Sequence, residues 1–180
     1  FSLEAEPSHR LIEFCENNKV PMVCLLMMGL RTYLQKFNYQ DDVSIMSTVA
    51  RRATISEKKS GGTRVHCFPC RTIVNKEETF MEGIEKIREA QNNLFRHANY
   101  NPVEYLNYRT SFYNNEPGQT YEPLSLTYQP LTMKDVKQRT GQTIDFSGID
   151  YKTNWYSNGA CAHTLYLTVM HRSNDNGLNF

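Results

Sequence analysis

The chain has 180 residues, of which 39% are hydrophobic and 22% are charged, a balance typical of one soluble globular domain or large subdomain. Twenty basic residues stand against nineteen acidic ones, so the formal net charge of +1 provides no attraction for nucleic acid, and no such partner is expected. The longest apolar run, from Val20 to Leu30, is far shorter than the ~20 residues of a membrane span. It indicates a buried helix and no membrane partner.

Two helices are predicted at the start of the chain. Pro7 lies in the first turn of one helix, which has an apolar face and ends near Asn17 and Asn18. Pro21 opens the second helix, because the first turn does not use the N–H that proline lacks. This second helix, residues 21–37, is apolar nearly all round its first turns and is therefore expected to be buried on more than one side.

Strands flank a basic loop in the middle of the chain. Residues 43–49 alternate as a strand, and residues 64–74 form a second strand. The loop between them, 51–64, holds five basic residues and one acid. Such a charge run is usually a solvated face, although it could also meet the acidic surface of a partner.

Helical spacing returns after the second strand. Apolar residues from Phe80 to Leu94 recur on one face, and Glu82 and Lys86 are spaced as an ion pair on the same helix. A short helix, opened by an Asn-Pro pair, is expected over residues 101–106.

The remainder of the chain has the character of strands. Turn signals separate five candidate strands, at residues 110–113, 124–129, 143–146, 151–156 and 164–171. Helices mixed with a largely β second half predict an α/β fold, in which a mixed β-sheet has helices packed on one face.

The cysteines form an odd set without the spacing of a disulfide framework. This favours reduced thiols and a cytoplasmic protein. Cys67 and Cys70 form a C-x-x-C segment, but their flanks read as strand and no second pair is spaced for zinc. We therefore interpret them as strand residues and expect no metal. The full set is Cys15, Cys24, Cys67, Cys70 and Cys161.

Three stretches of the sequence resemble motifs of one protein family. The first is Tyr39-Gln40-Asp41-Asp42-Val43, which runs on to Val49-Ala50-Arg51. It is similar to a Y-x-x-Q-D-D-V strand that ends in a P-V-A-x-R loop, with Thr48 where the motif often has Pro.

The second stretch runs over residues 62–71 and is similar to a G-x-F-V-N-T-x-P-x-R strand. Pro69 and Arg71 are in register with the motif, as are Gly62 and Val65. His66 and the following Cys stand where the motif has Asn and Thr.

The third stretch is His97-Ala98-Asn99-Tyr100-Asn101-Pro102-Val103-Glu104, similar to H-Q-D-x-P-F-E with one residue inserted before the Pro. In this order the three motifs are those of condensation domains of non-ribosomal peptide synthetases, in the chloramphenicol-acetyltransferase-like superfamily. The chain resembles the C-terminal subdomain of such a domain.

The family's catalytic motif, H-H-x-x-x-D-G, is absent from the sequence. No two of the five histidines are adjacent. In the family this motif lies in the N-terminal half, and its second His serves amide-bond formation. The resemblance thus implies that residues 1–180 are the C-terminal subdomain, without the N-terminal subdomain and the final helix. No catalytic residue is expected in this chain, which alone should be inactive.

The resemblance also implies a function and a set of partners. The intact domain would form amide bonds between carrier-bound acyl or aminoacyl thioesters, and this half would supply the acceptor-side wall of the substrate tunnel. No cofactor is expected on the domain, because the substrates arrive on the phosphopantetheine of carrier proteins. The implied partners are the N-terminal condensation subdomain, carrier proteins and an adjacent adenylation domain.

Two other functions stay open on the sequence. Departures in the second and third stretches suit a non-catalytic module that docks carriers or neighbouring domains. Half of a free-standing acyltransferase of the same superfamily is the third possibility.

The resemblance places three residues at the substrate tunnel: His66, Ser111 and Tyr113. We expect them on strands that line an apolar concavity, with the helix of residues 21–37 on the other side of the sheet. His66 could bind substrate or serve as a base, or be satisfied within the fold. The motif residues with a structural role are expected to be Asp42, Arg51, Pro69, Arg71, His97 and Pro102.

Overall fold

The computed structural model describes residues 2–52, 54–114, 124–129, 163–171 and 177–180. Helices and strands alternate irregularly along these residues, and their order confirms the α/β prediction. In chain order the elements are α1 (Ala5–Asn18), α2 (Met22–Asn38), β1 (Asp42–Val49), α3 (Ile55–Lys59), β2 (His66–Ile73), α4 (Phe80–Arg96), α5 (Pro102–Tyr113), β3 (Leu124–Gln129), β4 (Leu165–His171) and β5 (Leu178–Asn179).

The described strands form one mixed sheet in the order β2-β1-β3-β4-β5. β1 pairs antiparallel with β2 and parallel with β3, and β3 is parallel to β4, which pairs antiparallel with β5. β5 was not predicted, since two residues are too few for a periodic signal. The strands predicted at 143–146 and 151–156 lie outside the described residues, as does Cys161.

Local signals in the sequence set the helix boundaries. Pro7 lies in the first turn of α1, and Pro21 is the residue that caps α2. α4 begins with a capping box, in which Thr79 Oγ1 accepts from the Glu82 N–H while the Glu82 carboxylate accepts from the Thr79 N–H. Such a box satisfies backbone donors that the first turn leaves open.

The predicted pairing of Glu82 with Lys86 is wrong. Glu82 turns back to the start of α4, so Lys86 Nζ contacts Glu78 instead, at 2.7 Å. The basic loop also contains an element that was not predicted, the short helix α3. It is held by a capping box between Thr54 and Glu57.

The core lies between the sheet and helices α2 and α4. Its fully buried side chains include Met27 of α2, Ile87 of α4, Leu126 of β3 and Val169 of β4. α1 packs onto α2 through partly buried side chains. None of the helices in the described part of the chain is long and apolar enough to cross a membrane.

A buried arginine ties α2 to β2 and to the turn that precedes β1. Arg31 is 1% exposed and donates from Nε to Thr72 Oγ1 at 3.2 Å and from a terminal nitrogen to Gln35 Oε1 at 2.9 Å. Its other terminal nitrogen donates to the Asp41 carbonyl. Burial lowers the pKa of Arg31, and the nearby Asp41 carboxylate opposes that shift. The guanidinium therefore fixes the turn from α2 into β1.

Candidate functional site

The sheet has two faces of different character. Paired residues on neighbouring strands share a face, and successive residues alternate between faces. One face packs on α2 and α4, and we call it the helix face. The other, which we call the hydroxyl face, carries Asp42, Ser44, Met46 and Thr48 of β1, Cys67, Pro69 and Arg71 of β2, Ser125 and Thr127 of β3, and Tyr166 and Thr168 of β4.

A row of hydroxyls crosses three strands of the hydroxyl face. Thr48 Oγ1 lies 2.8 Å from Thr127 Oγ1, which lies 2.9 Å from the Tyr166 hydroxyl. Cys67 Sγ is 3.8 Å from Thr48 Oγ1 at the far end of the row. Thr127 is buried, whereas Tyr166 is 48% exposed. The row thus connects the interior of the sheet to its accessible surface.

An ion pair lies on the same face toward the start of β1. Arg71 donates from Nε and one terminal nitrogen to both carboxylate oxygens of Asp42, at 2.5–3.1 Å. These hydrogen bonds from Arg71 lower the pKa of Asp42 below its usual range, since they favour the ionised carboxylate. Asp42 belongs to the first family-like stretch, and Arg71 is the last residue of the second.

A cavity of about 630 Å³ opens beside this ion pair. The Asp42–Arg71 pair forms part of its wall, together with Ser44 and aromatic side chains of α5. The rings of Tyr108 and Phe112 stack with centroids 5.8 Å apart. No described residue supplies a hydrogen-bond partner for the buried Ser44 Oγ. Residues of α2 and of the helix face line the cavity as well. This concavity with an aromatic wall therefore lies at the end of the sheet, between α2 and α5, and not on the hydroxyl face alone.

The placement of His66 corrects the sequence prediction. His66 shares the helix face with Phe68 and Cys70, of which Phe68 is buried against Ala98 and Cys70 is part of the core. The His66 ring lies 6.4 Å from the Phe68 ring. The sequence prediction placed His66 on the side of the sheet opposite α2, but strand alternation places it on the same side as α2.

The sequence predicted a strand for Ser111 and Tyr113, and this prediction is wrong: both residues lie on helix α5. Thr110 and the aromatic residues near it suggested a strand, because such residues favour strands. The helix-start signal at Asn101 outweighs the strand preference of these residues. Asn101 Oδ1 accepts a hydrogen bond from the Val103 N–H at 3.0 Å, and Pro102 takes the first helical position. Ser111 is exposed. Neither it nor His66 is among the described residues that line the cavity.

The remaining motif residues have structural positions. Pro69 lies on β2, one of the two edge strands of the described sheet, where a missing N–H is tolerated. His97 caps the end of α4, and its carbonyl accepts from the Tyr100 N–H at 3.0 Å. Pro102 opens α5.

The arginine of the V-A-x-R pattern corresponds to Arg52 rather than Arg51. Arg51 has a left-handed φ of 52°. Arg52 donates to the carbonyls of Glu57, Ser60 and Gly62 at 2.5–2.7 Å. The count from Val49 and Ala50 gives the same assignment, so the guanidinium that orders this loop belongs to Arg52.

The two C-x-x-C cysteines point to different faces, as expected three residues apart on a strand. Cys70 is buried on the helix face, and burial raises its pKa to about 12. Cys67 lies half-buried on the hydroxyl face and contacts Thr48. Both are free thiols. Across the described ranges no cluster of His, Cys, Asp and Glu is arranged to hold a metal ion.

Thr48, Thr127 and Tyr166 were not singled out from the sequence. Each lies on a predicted strand, but the sequence pattern did not predict the face of the sheet on which it lies. The parallel pairing of β1 with β3 and of β3 with β4 was needed to bring them together. These strands are far apart in the chain, so local periodicity does not reveal the register.

Comparison with known proteins decides the family. The family model described as "Condensation domain" matches residues 1–179. The chain belongs to the condensation-domain family. Among curated relatives, this condensation-domain chain is 26% identical over 172 residues to a plipastatin synthase polypeptide of Bacillus subtilis. The match covers 93% of the chain and 6% of that protein.

Other relatives and solved structures agree with this assignment. The condensation-domain chain is 28% identical over 91 residues to a surfactin synthase polypeptide of Bacillus subtilis, a match that covers 51% of the chain and 2% of that protein. Its fold matches VibH, an NRPS condensation enzyme, with a TM-score of 0.70 at 12% identity, covering 99% of the chain and 38% of VibH.

A second solved structure is the first condensation domain of the calcium-dependent antibiotic synthetase, in complex with a substrate analogue. It matches with a TM-score of 0.65 at 16% identity, and the match covers 99% of the chain and 38% of that structure. These structures confirm the predicted chloramphenicol-acetyltransferase-like fold. The chain spans well under half the length of the structures and a few per cent of the curated proteins that it matches.

Proposed function

We propose that this chain is the C-terminal subdomain of a condensation domain that joins carrier-bound acyl or aminoacyl groups in a peptide synthetase. The amine of the acceptor attacks the thioester carbonyl of the donor. A C–N bond forms, the C–S bond breaks, and the donor's thiol leaves with the proton that the amine gives up. The observation that carries the proposal is the family match over residues 1–179.

In this proposal the chain supplies the wall of a substrate tunnel, and the general base belongs to the N-terminal subdomain. Positioning of amine and carbonyl can provide a large part of the rate enhancement of such a transfer. Two features support this role: the row of hydrogen-bonding groups on the hydroxyl face and the cavity with an aromatic wall at the Asp42 end of β1. The partners would be that subdomain, carrier proteins with phosphopantetheine arms and an adenylation domain.

The residues that we propose for the tunnel wall differ from those expected from the sequence. The family resemblance placed His66 in the tunnel and on the side of the sheet opposite α2. Strand alternation puts it on the helix face instead, so we do not include His66 in the proposed wall. Ser111 and Tyr113 remain proposals through their position on α5, whose neighbouring residues line the cavity. Thr127 and Tyr166 join them as wall residues of the hydroxyl face.

The test is carried out on the native polypeptide that contains this chain. Two carrier proteins are loaded, one with a donor acyl group and one with an aminoacyl acceptor, and the carrier-bound product is measured by mass spectrometry. Condensation is expected to transfer the donor to the carrier-bound amine. Binding of carriers without product would favour a docking module, and transfer to a soluble amine alone would favour a free-standing acyltransferase.

A further inference from the structure

The row of hydroxyls on β1, β3 and β4 ends at an accessible phenol. Thr127 is 7% exposed and bridges Thr48 to Tyr166 through contacts of 2.8 and 2.9 Å. The described residues give the Tyr166 hydroxyl no hydrogen-bond partner apart from Thr127. Tyr166 is 48% exposed, and its ring stacks on His163, with centroids 6.0 Å apart and 25° between the planes. The hydroxyl is thus held by Thr127 on a residue that is about half exposed.

The single proton of each hydroxyl gives the row a direction. If Tyr166 donates inward, the last proton, on Thr48, points at Cys67 Sγ, which is a weak acceptor 3.8 Å away. If Thr48 and Thr127 donate outward instead, the proton of Tyr166 is free for an acceptor outside the chain. Hydrogen bonds in such a row also polarise one another. The outward direction therefore makes Tyr166 a prepared donor whenever a strong acceptor is present.

A carbonyl oxygen is the acceptor that fits this arrangement. It accepts hydrogen bonds and donates none, so it matches a phenol whose oxygen already accepts from Thr127. The described cross-strand partners carry no charge that would select an ion: Ser125 is paired with Tyr166, and Met46 is paired with Ser125. A neutral amide or thioester meets these requirements.

We propose that the Tyr166 hydroxyl donates a hydrogen bond to an amide or thioester carbonyl of a substrate bound on the hydroxyl face, with Thr127 and Thr48 as positioning residues. This inference rests on the proposed condensation function. An amide carbonyl would belong to the arm that carries the substrate, and a thioester carbonyl to the reacting centre. The two sources differ in which kinetic constant they affect.

The chain offers a matched control for removal of this hydroxyl. Tyr128 of β3 lies on the helix face, and its hydroxyl is 2.6 Å from His171 Nε2. Tyr128→Phe removes the same group from the same sheet on the opposite side. Tyr166→Phe keeps the ring that stacks on His163, so both variants preserve packing.

The experiment measures condensation kinetics and carrier binding with the native polypeptide. Tyr166→Phe is expected to lower kcat/KM about tenfold, which is the loss of one hydrogen bond, while Tyr128→Phe leaves it unchanged. A fall in kcat indicates the thioester carbonyl, and a rise in KM indicates an amide of the arm. Thr127→Val should have a smaller effect and add little to Tyr166→Phe, because both changes interrupt one row.

A second measurement separates this inference from the proposed function. A carrier loaded with a non-hydrolysable amide analogue of its aminoacyl thioester is titrated against each variant. Several-fold weaker binding to Tyr166→Phe than to Tyr128→Phe supports the carbonyl contact even if the wild type forms no peptide. Equal kinetics and equal binding of the two variants would overturn the inference, whereas absence of product from the wild type counts only against the proposed function.

Discussion

Asp42, the first residue of β1, holds Arg71 of β2 through hydrogen bonds to both carboxylate oxygens. The two residues belong to different family-like stretches that are separated by the basic loop. Their contact brings these stretches together at the rim of the cavity. The motif pair therefore stabilises the end of the β1–β2 hairpin next to the proposed tunnel wall.

The Asp42–Arg71 pair predicts a small, acid-sensitive contribution to stability. Because Arg71 lowers the pKa of Asp42, the contribution is present above the ordinary carboxyl pKa and is lost as the pH falls through the lowered value. Both side chains are about half exposed, so Asp42→Asn should reduce the free energy of unfolding by less than about 1 kcal/mol at pH 7. Urea denaturation at pH 7 and near pH 3 measures the difference, which should shrink at the lower pH.

A matched control for this prediction is Glu6→Gln. Glu6 approaches Arg10 only to 3.8 Å, and both side chains are highly exposed. This change is expected to leave stability at pH 7 the same within error. A loss for Asp42→Asn that stays constant down to pH 3 would contradict the assignment of the effect to the ion pair.

The buried Arg31 predicts a larger effect on stability. Arg31→Met removes the hydrogen bonds to Thr72, Gln35 and the Asp41 carbonyl and leaves buried polar groups without a partner. The expected loss is about 2–4 kcal/mol in the free energy of unfolding. Lys36→Met on the exposed side of the same helix serves as the control and should be nearly neutral. Equal stability of the two variants would show that Arg31 does not anchor α2.

The cysteines of the C-x-x-C segment predict different reactivity. The raised pKa of Cys70, about 12 because of burial, keeps its thiol protonated at pH 8, and only the thiolate is a strong nucleophile. Cys67 is partly accessible and should be alkylated first, as peptide mapping by mass spectrometry would detect. Stoichiometric zinc in the purified protein, or a disulfide between the two residues, would refute our interpretation of the segment.

Local patterns in the sequence predicted most of the elements that lie in the described residues. Pro7, Pro21 and the Asn101-Pro102 pair act within one turn of the backbone, so the starts of α1, α2 and α5 follow from nearby residues. The alternation of apolar and polar residues predicted the bounds of β1 and β2 to within two residues. The mixed character of the sheet followed from the order of helices and strands.

The candidate site was less predictable, because it depends on facing and register. His66 was placed by analogy with a motif position, and only its pairing with Val49 and its contact with Phe68 reveal its side of the sheet. The residues near Ser111 favour strands, yet the capped start at Asn101 extends the helix through them. Thr127 and Tyr166 meet because β3 pairs with β4. These strands are far apart in the chain, so local sequence patterns do not predict their pairing.

The proposed role of this chain is that of one half of an amide-forming domain. The direct measurement compares peptide formation from two loaded carrier proteins by the 180-residue chain, by the N-terminal subdomain and by the contiguous native polypeptide, with circular dichroism to verify that each is folded. We expect carrier-bound dipeptide only from the contiguous polypeptide, because the chain lacks the adjacent histidines of the family's catalytic motif. Dipeptide formation above background by the 180-residue chain alone would contradict the account.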